Sequence, residues 1–281
     1  MIVHTARPVA SSPALFCRYT GLPKVGMSTR YTLLVAATFV LMTGTLWAQT
    51  TDPLRASIAS VMWKWTPMLW QGFQLNLVMS ALAMIGGTIV GAFLGLAQVS
   101  PHRGISRVAR FITQVLRNAP WLVAIFYAMY MLPYEVQIGT TIVKFPDWFK
   151  ATLGFSLPVI ANVSEIVRGG ISSIPVQQWE AARSLAFTRR QTLWMIVLPQ
   201  CAKRMLPPWM NLYSLLTMAT VLANVVGVSE ALTMAREILA SERRSDLLLP
   251  MYGYVLVWFF IYVYPIGRLT AWLERKWAVK E

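Results

Sequence analysis

Six stretches of this chain, 31–51, 65–102, 118–134, 151–164, 205–229 and 247–267, are its longest runs without a lysine, arginine, aspartate or glutamate. A helix that crosses a bilayer needs about 20 mostly apolar residues, because it must traverse roughly 30 Å of hydrocarbon at about 1.5 Å per residue. The first, fifth and sixth runs are long enough alone, and the second contains one span at about 75–98. The third and fourth reach that length only by taking in Glu135 and Glu165. The expectation is an all-α, polytopic membrane helix bundle of about six transmembrane helices. With 56% hydrophobic and 13% charged residues and a mean hydropathy of +0.53, the composition excludes an ordinary soluble domain.

The 25 basic residues outnumber the 11 acidic ones, for a net charge of +14. In a soluble protein that excess would suggest nucleic acid, but here it orients helices, since Lys and Arg collect in cytoplasmic segments. Segments 1–30, 99–117, 168–205 and 268–281 hold 18 of the 25, and segments 52–74, 135–150 and 230–249 hold the other 7. The split predicts both termini in the cytoplasm, membrane lipid around the bundle and no nucleic-acid partner. Trp63, Trp65, Trp70, Trp121, Trp148, Trp209, Tyr252 and Trp272 lie near span ends, where amphipathic rings suit the headgroup level.

Residues 1–30 carry Arg7, Arg18, Lys24 and Arg30 but no acid, and Met27 offers a second start. They read as a basic, disordered cytoplasmic tail or as an overlong reading frame. The next stretch, 31–51, reads as a retained helix or as a signal peptide ending near Ala48. Leu46 is large where a signal peptidase wants a small residue, and the apolar run exceeds a signal core of about 7–15 residues, so the retained helix is favoured. Cys17 and Cys201 are far apart, and His4 and His102 lack acidic or thiol companions at ligand spacing. Neither a disulfide framework nor a metal site is expected, and no catalytic residues or cofactor are assigned.

Within the second run Ala83, Gly87, Gly91 and Gly95 recur every fourth residue and form a stripe of small residues. Such a stripe lets two helix backbones approach closely where lipid removes the hydrophobic driving force, which predicts packing within the bundle. The fourth run contains Pro158, Asn162, Glu165 and Arg168. A carboxylate at membrane depth costs at least about 2.5 kcal/mol on insertion scales, so it tends to face a polar pathway. Asn162 and Glu165 share a helix face. Two readings stand: both line a substrate pathway, or Glu165 pairs with Arg168 near the cytoplasmic interface and is structural.

Between Arg168 and Arg204 lies a polar loop in which Pro175 opens a helix and Pro199 is expected to close it. Ala181, Ala182, Leu185 and Ala186 form a low-relief apolar patch, with Arg183, Arg189 and Arg190 around it. That pattern suits docking into a partner's groove, while a helix lying on the membrane would want larger apolar residues.

The spacing Glu180-Ala181-Ala182, then Ala186, Ile196 and Leu198-Pro199 resembles the EAA loop of ABC importer permeases. Arg117-Asn118-Ala119-Pro120-Trp121-Leu122 and Glu165-Ile166-Val167-Arg168-Gly169-Gly170-Ile171 are similar to segments of the polar amino-acid permeases of the histidine, glutamate and glutamine uptake type. Gly72 with Leu75 to Leu77 stands where that family's first core helix begins, and the resemblance covers about 66–275, including the coupling loop 168–204. It implies the type I importer permease fold: a five-helix core, here with 31–51 as an extra N-terminal helix, in a bacterial inner membrane.

The function so implied is half of a translocation pathway for polar amino acids, working by alternating access. Partners follow from the same resemblance: an ABC ATPase subunit dimer, a second permease subunit, identical or different, and a periplasmic or extracellular solute-binding protein. Glu180, Ala181, Ala182, Arg183, Leu185, Ala186, Leu198 and Pro199 would couple to the ATPase, and Asn162 and Glu165 would line the pathway. No G-x-x-x-x-G-K-[ST] loop occurs, so ATP is bound on another chain and this one is no enzyme. The chain departs from the family pattern at Ala186, where a glycine is usual, at Gln177, and at Thr217-Met218-Ala219-Thr220-Val221, where two charges are lost. The loss of a glycine at Ala186 should remove freedom at positive φ and stiffen the turn. A secondary transporter or channel is the alternative class, but the half-repeats often seen there are not evident. The run from Glu242 to Asp246 reads as a solvated outer loop.

Overall fold

The computed structural model describes residues 56–138 and 141–277, so the expectations for 1–30 and 31–51 lie outside the described residues. Helix α1, Ile58–Gln98, runs for 41 residues, about 60 Å at 1.5 Å per residue. It starts well before Gly72, the expected beginning of the first core helix. The Ser57 side chain accepts the Ser60 N–H and caps the start. Lys64, which interrupts the uncharged run, is accommodated because its side chain is exposed.

The third uncharged run does not make a full span. Its helix α3, Trp121–Met131, has 11 residues, about 16 Å and half a bilayer. It follows α2, Arg103–Asn118, across a break at Ala119-Pro120. Pro120 forces the preceding residue out of the helical region, and Ala119 is extended at φ −72°, ψ 128°. Glu135 is not absorbed into α3 but opens a two-stranded antiparallel hairpin, β1 Glu135–Ile138 with β2 Thr141–Lys144, paired Glu135 to Lys144 and Ile138 to Thr141.

The fourth run lies inside α4, Asp147–Ser172, whose 26 residues include Asp147, Lys150, Glu165 and Arg168. A short helix α5, Val176–Ser184, follows. Helix α6, Arg189–Val226, is continuous for 38 residues. The segment expected to be an outer loop contains α7, Ala231–Glu242, before α8, Leu248–Trp277.

The small-residue stripe packs within the bundle as expected. A Cβ built on Gly87, Gly91 or Gly95 would come within 2.8 Å of a side-chain carbon of Val159, Val163 or Val167 respectively, so the stripe of α1 receives the valine ridge of α4 at the same four-residue period. Gly154 on α4 brings that helix onto Ile125 of α3, with an ideal Cβ only 2.7 Å from the Ile125 Cα. Gly72 does the same between α1 and the start of α7, its ideal Cβ falling 2.7 Å from the Ala231 nitrogen. The C-terminal half of α1 therefore belongs to a core with α3, α4 and α6, and its N-terminal half, through Leu69 and Phe73, to a second core with α7 and α8. Polar ties close the bundle: Trp209 Nε1 donates to Thr88 Oγ1 at 2.9 Å, and the Tyr213 and Tyr262 hydroxyls are 2.7 Å apart.

At one end of the bundle stand the loop 173–188 and the junction of α1 with α2; at the other stand the hairpin and the end of α7. A buried polar knot fixes the turn before α7. Asn76 Nδ2 donates to Thr220 Oγ1 at 3.0 Å and to Glu230 Oε2 at 3.2 Å, and Asn76 Oδ1 accepts the Ala231 N–H. The Glu230 carboxylate in turn accepts the N–H groups of Leu232 and Thr233, capping α7.

Candidate functional site

Two features stand out: the loop around α5 and a polar cavity on the face of α4. In the loop, Pro175 is the N-cap of α5 as expected. The helix ends through a pair of bonds, Ala186 N–H to the Arg183 carbonyl at 2.9 Å and Phe187 N–H to the Ala182 carbonyl at 3.0 Å. This is the Schellman arrangement, which requires a left-handed residue. Ala186 occupies that position with φ 57°. The expected loss of positive φ is therefore corrected: the left-handed turn persists although its residue has a Cβ, because both orphan carbonyls at the end of α5 are satisfied only in that conformation. Two residues after Ala186, Thr188 begins a reciprocal capping box with Gln191, which starts α6.

Pro199 does not end a helical insert. It lies inside α6, after a π-helical turn over Thr192–Val197 in which Leu198 N–H reaches back to the Leu193 carbonyl. The wider turn adapts the ladder to the missing proline N–H. The insert proper thus spans Val176 to Ala186, and Leu198-Pro199 belong to the stem of α6.

Of the predicted docking residues, Glu180, Ala181, Arg183 and Ala186 are exposed, and Leu185 is 71% exposed. Ala182 is buried, so it does not share the outward patch. Val176, at 65% exposure, joins Leu185 as a second large apolar group on the outside of the loop. Sequence reasoning did not single out Val176; its position directly after the N-cap proline is the signal that could have found it. Two arginines fasten the loop to the bundle: Arg189 Nη2 donates to the Val99 carbonyl at 3.1 Å, and Arg204 Nη1 to the Ser173 carbonyl at 2.8 Å.

The cavity has a volume of about 640 Å³ and includes Arg117, Asn162, Glu165, Arg168, Arg204 and Asn211 in its lining. Asn162 and Glu165 are thus brought together on it. Arg168 Nη2 donates to Glu165 Oε2 at 2.7 Å and its Nε lies 3.2 Å from both carboxylate oxygens, while Arg117 Nη1 is 3.7 Å from Oε2. The Glu165 carboxylate is therefore paired with Arg168 and also lines the cavity. Asn162 Nδ2 donates to the Pro158 carbonyl at 2.8 Å, which orients the amide on the same wall. Beneath this wall Gln98 Nε2 donates to Thr113 Oγ1 and Ser164 Oγ, tying α1, α2 and α4 together.

The Glu242–Asp246 run is more than a solvated loop. Glu242 Oε1 accepts Trp65 Nε1 at 2.6 Å and Lys64 Nζ at 3.1 Å, and Arg244 pairs with Asp246 while reaching the Ala56 carbonyl. The indole N–H, and after it the ammonium, hold the Glu242 carboxyl below the usual carboxylate range.

Three stretches of this bundle, Ile58–Gln98, Arg189–Val226 and Ser245–Trp277, are long and apolar enough to cross a membrane. Residues 87–278 match the family described as binding-protein-dependent transport system inner membrane component, and the chain belongs to that family. It is a multi-pass membrane component of a transport system rather than an enzyme. The chain is 31% identical over 210 residues, 75% of its length and 86% of the relative's, to the L-cystine transport system permease protein TcyB of Bacillus subtilis. To the glutamine transport system permease protein GlnP of Escherichia coli it is 27% identical over 220 residues, covering 78% of this chain and 97% of that one. Among solved structures, a crystal structure of an amino acid ABC transporter with histidines shares the fold, with a TM-score of 0.67 at 24% identity over 79% of this chain and all of that one. The MetNI methionine ABC transporter, in an inward facing form, gives a TM-score of 0.55 at 15% identity over 76% of this chain and 96% of that one.

Proposed function

We propose that this chain is the permease subunit of an ATP-binding cassette importer and forms half of the pathway by which a polar amino acid crosses the inner membrane. Membership of the family, the permeases of amino-acid systems among its relatives and the shared fold support this reading. The exposed insert from Val176 to Ala186 seats in a cleft of an ATPase subunit, with Glu180, Ala181, Arg183, Leu185 and Ala186 on the contact face. Ala182, Leu198 and Pro199 act behind that face, Ala182 as a buried residue of the insert and the other two by setting the stem of α6. Closure of the ATPase dimer moves the insert as a rigid body and switches the bundle between outward and inward openings.

The observation that carries the proposal is an exposed helix with two large apolar side chains, Val176 and Leu185, held between the Pro175 N-cap and a Schellman turn that runs into the Thr188–Gln191 capping box. An isolated membrane protein has no use for stiff apolar knobs in water, but a partner groove does. Asn162 and Glu165 line the substrate path. A second permease subunit, identical or different, completes that path, and a solute-binding protein delivers the amino acid at the hairpin end. Both termini lie in the cytoplasm, on the excess of Lys and Arg in the segments assigned to that side.

The test is Glu180→Lys in the assembled transporter reconstituted in vesicles. Loss of uptake together with loss of substrate-stimulated ATP hydrolysis is expected. Unchanged uptake and unchanged stimulation would overturn the coupling assignment.

A further inference from the structure

Helix α2 presents three different sides. Ser106, Ala109 and Thr113 are buried and hold it on the bundle, with Ser106 Oγ donating to the Gln98 carbonyl at 2.6 Å. At 3.6 residues per turn, Arg103, Arg107 and Arg110 fall along one flank and Ile105, Val108, Ile112 and Val115 on the side away from them. The apolar side is uncovered, with Val108 59% and Phe111 70% exposed. It borders a groove of about 490 Å³ against the last turns of α1, with Leu94 and Ala97 on one wall and Gly104, Ile105, Val108 and Ile112 on the other. Next to the groove, Val90 and Phe93 of α1 are exposed as well, on a helix long and apolar enough to cross a membrane. The groove therefore continues a surface that meets acyl chains.

The charge beside the groove has no counterpart. Residues 53–134 contain no Asp or Glu, so α1, α2 and α3 offer Arg103 and Arg107 no acidic partner, and neither makes an ion pair among the described residues. Arg110 is held by Ser106. The first turn of α2 has no acid, and His102 gives it no side-chain cap, so its N–H groups and positive dipole end add to the field of Arg103.

We propose that the groove between α1 and α2 binds one anionic phospholipid of the inner leaflet, its acyl chain lying between Leu94 and Val108 and its phosphate at Arg103 and Arg107. Placement in the inner leaflet rests on the cytoplasmic assignment of 99–117. An apolar side flanked by arginines and free of acids is the pattern of a helix at an anionic membrane surface. A second copy of this chain would cover the apolar side but leave the two guanidinium groups unpaired, whereas a phosphate takes them as charge-assisted donors. A zwitterionic lipid would fill the groove, but its own cation would offset the attraction. Gly104 has open space where a Cβ would lie, so no bundle contact requires a glycine there; its missing side chain keeps the groove open.

The experiment offers the assembled transporter, in mild detergent, equal amounts of phosphatidylglycerol and phosphatidylcholine with identical acyl chains, and counts the retained lipid by native mass spectrometry. Wild type should prefer phosphatidylglycerol about 25-fold, a factor of about five for each arginine at an anionic headgroup. Arg103→Gln with Arg107→Gln should abolish the preference. Gly104→Leu, whose side chain enters open space, should abolish retention of both lipids while the complex stays assembled. Equal retention of the two lipids by wild type, or a preference unchanged without the two arginines, would overturn the inference. So would a Val108→Cys thiol that cross-links to a second protein chain. Uptake in vesicles keeps this idea apart from the importer reading. Uptake that needs no ATP removes that reading and leaves the lipid count standing, whereas lipid retention indifferent to Arg103 and Arg107 in a transporter that runs on ATP removes the lipid site alone.

Discussion

Gly91 sits directly against Val163: a Cβ built on Gly91 would stand 2.8 Å from the Val163 Cβ and 2.7 Å from the Ile160 carbonyl oxygen. The seam between α1 and α4 therefore has no room for a methyl group on the α1 side. Gly91→Ala should force the helices apart and destabilise the bundle by about 1–3 kcal/mol. Gly86, one turn away with open space where its Cβ would lie, is the control. Gly86→Ala should be neutral or slightly stabilising in a helix, by up to about 1 kcal/mol. Thermal unfolding of the two variants in detergent decides between a seam effect and a general intolerance of α1.

Asn76 holds Thr220, Glu230 and the Ala231 N–H at once, and all of these groups are buried. Asn76→Leu leaves a buried carboxylate and a buried N–H short of partners, at about 2–4 kcal/mol. Thr88→Val, which removes only the acceptor of Trp209 Nε1, should cost about 1 kcal/mol. Equal losses in the two variants would show that the knot before α7 has no special weight.

At Ala186 the left-handed conformation of a residue with a Cβ costs about 1–2 kcal/mol. Glycine relieves that cost but adds freedom to the unfolded chain worth about 0.4–1 kcal/mol. Ala186→Gly should therefore raise stability by roughly 0.5–1 kcal/mol, and Ala186→Val should lower it, since a β-branched residue tolerates positive φ poorly. Melting midpoints of the purified transporter read both, and a stabilising valine would contradict the turn assignment.

The contact of Glu242 with Trp65 and Lys64 fastens the end of α7 to α1. Because these donors lower the carboxyl pKa in the folded state, the stabilisation is fully present above the ordinary carboxylate range and fades as pH falls through the lowered value. The protection of the Arg236–Glu242 amides, their exchange rate relative to the intrinsic rate at each pH, should therefore fall on acidification, and Glu242→Gln should remove that dependence. Protection equally pH-dependent in the glutamine variant would assign the effect to another group.

Much of this bundle is legible in the sequence, and the parts that are not have identifiable causes. The seam of Gly87, Gly91 and Gly95 is visible as a four-residue period because only backbone proximity needs small residues at that spacing. Helix α2 is hidden by Arg103, Arg107, Arg110 and Arg117, which read as a loop until the structure shows Ser106, Ala109 and Thr113 as its buried face. Helix α7 is hidden in the same way by Arg236 and Glu237, although Ala231, Ala235 and Ile238 mark its buried side. Uncharged runs detect contact with lipid, whereas these two helices are set by short-range packing against protein. In the candidate site, the insert and its N-cap proline are readable. The left-handed Ala186 and the burial of Ala182 depend on hydrogen bonds that no residue pattern displays. The gathering of Arg117 and Arg204 around Glu165 is tertiary, joining residues of three helices.

The central claim, that the insert Val176–Ala186 is gripped by the ATPase, is tested most directly by a single cysteine at Leu185. Cys201 is buried, so Cys17→Ser with Leu185→Cys leaves one accessible thiol. In the intact transporter this thiol should cross-link to the ATPase subunit, with a yield that changes between the nucleotide-free and ATP-bound states, and should resist a membrane-impermeant reagent added from outside the cell. Labelling of Leu185→Cys from outside, or no cross-link to the ATPase in any nucleotide state, would contradict the account.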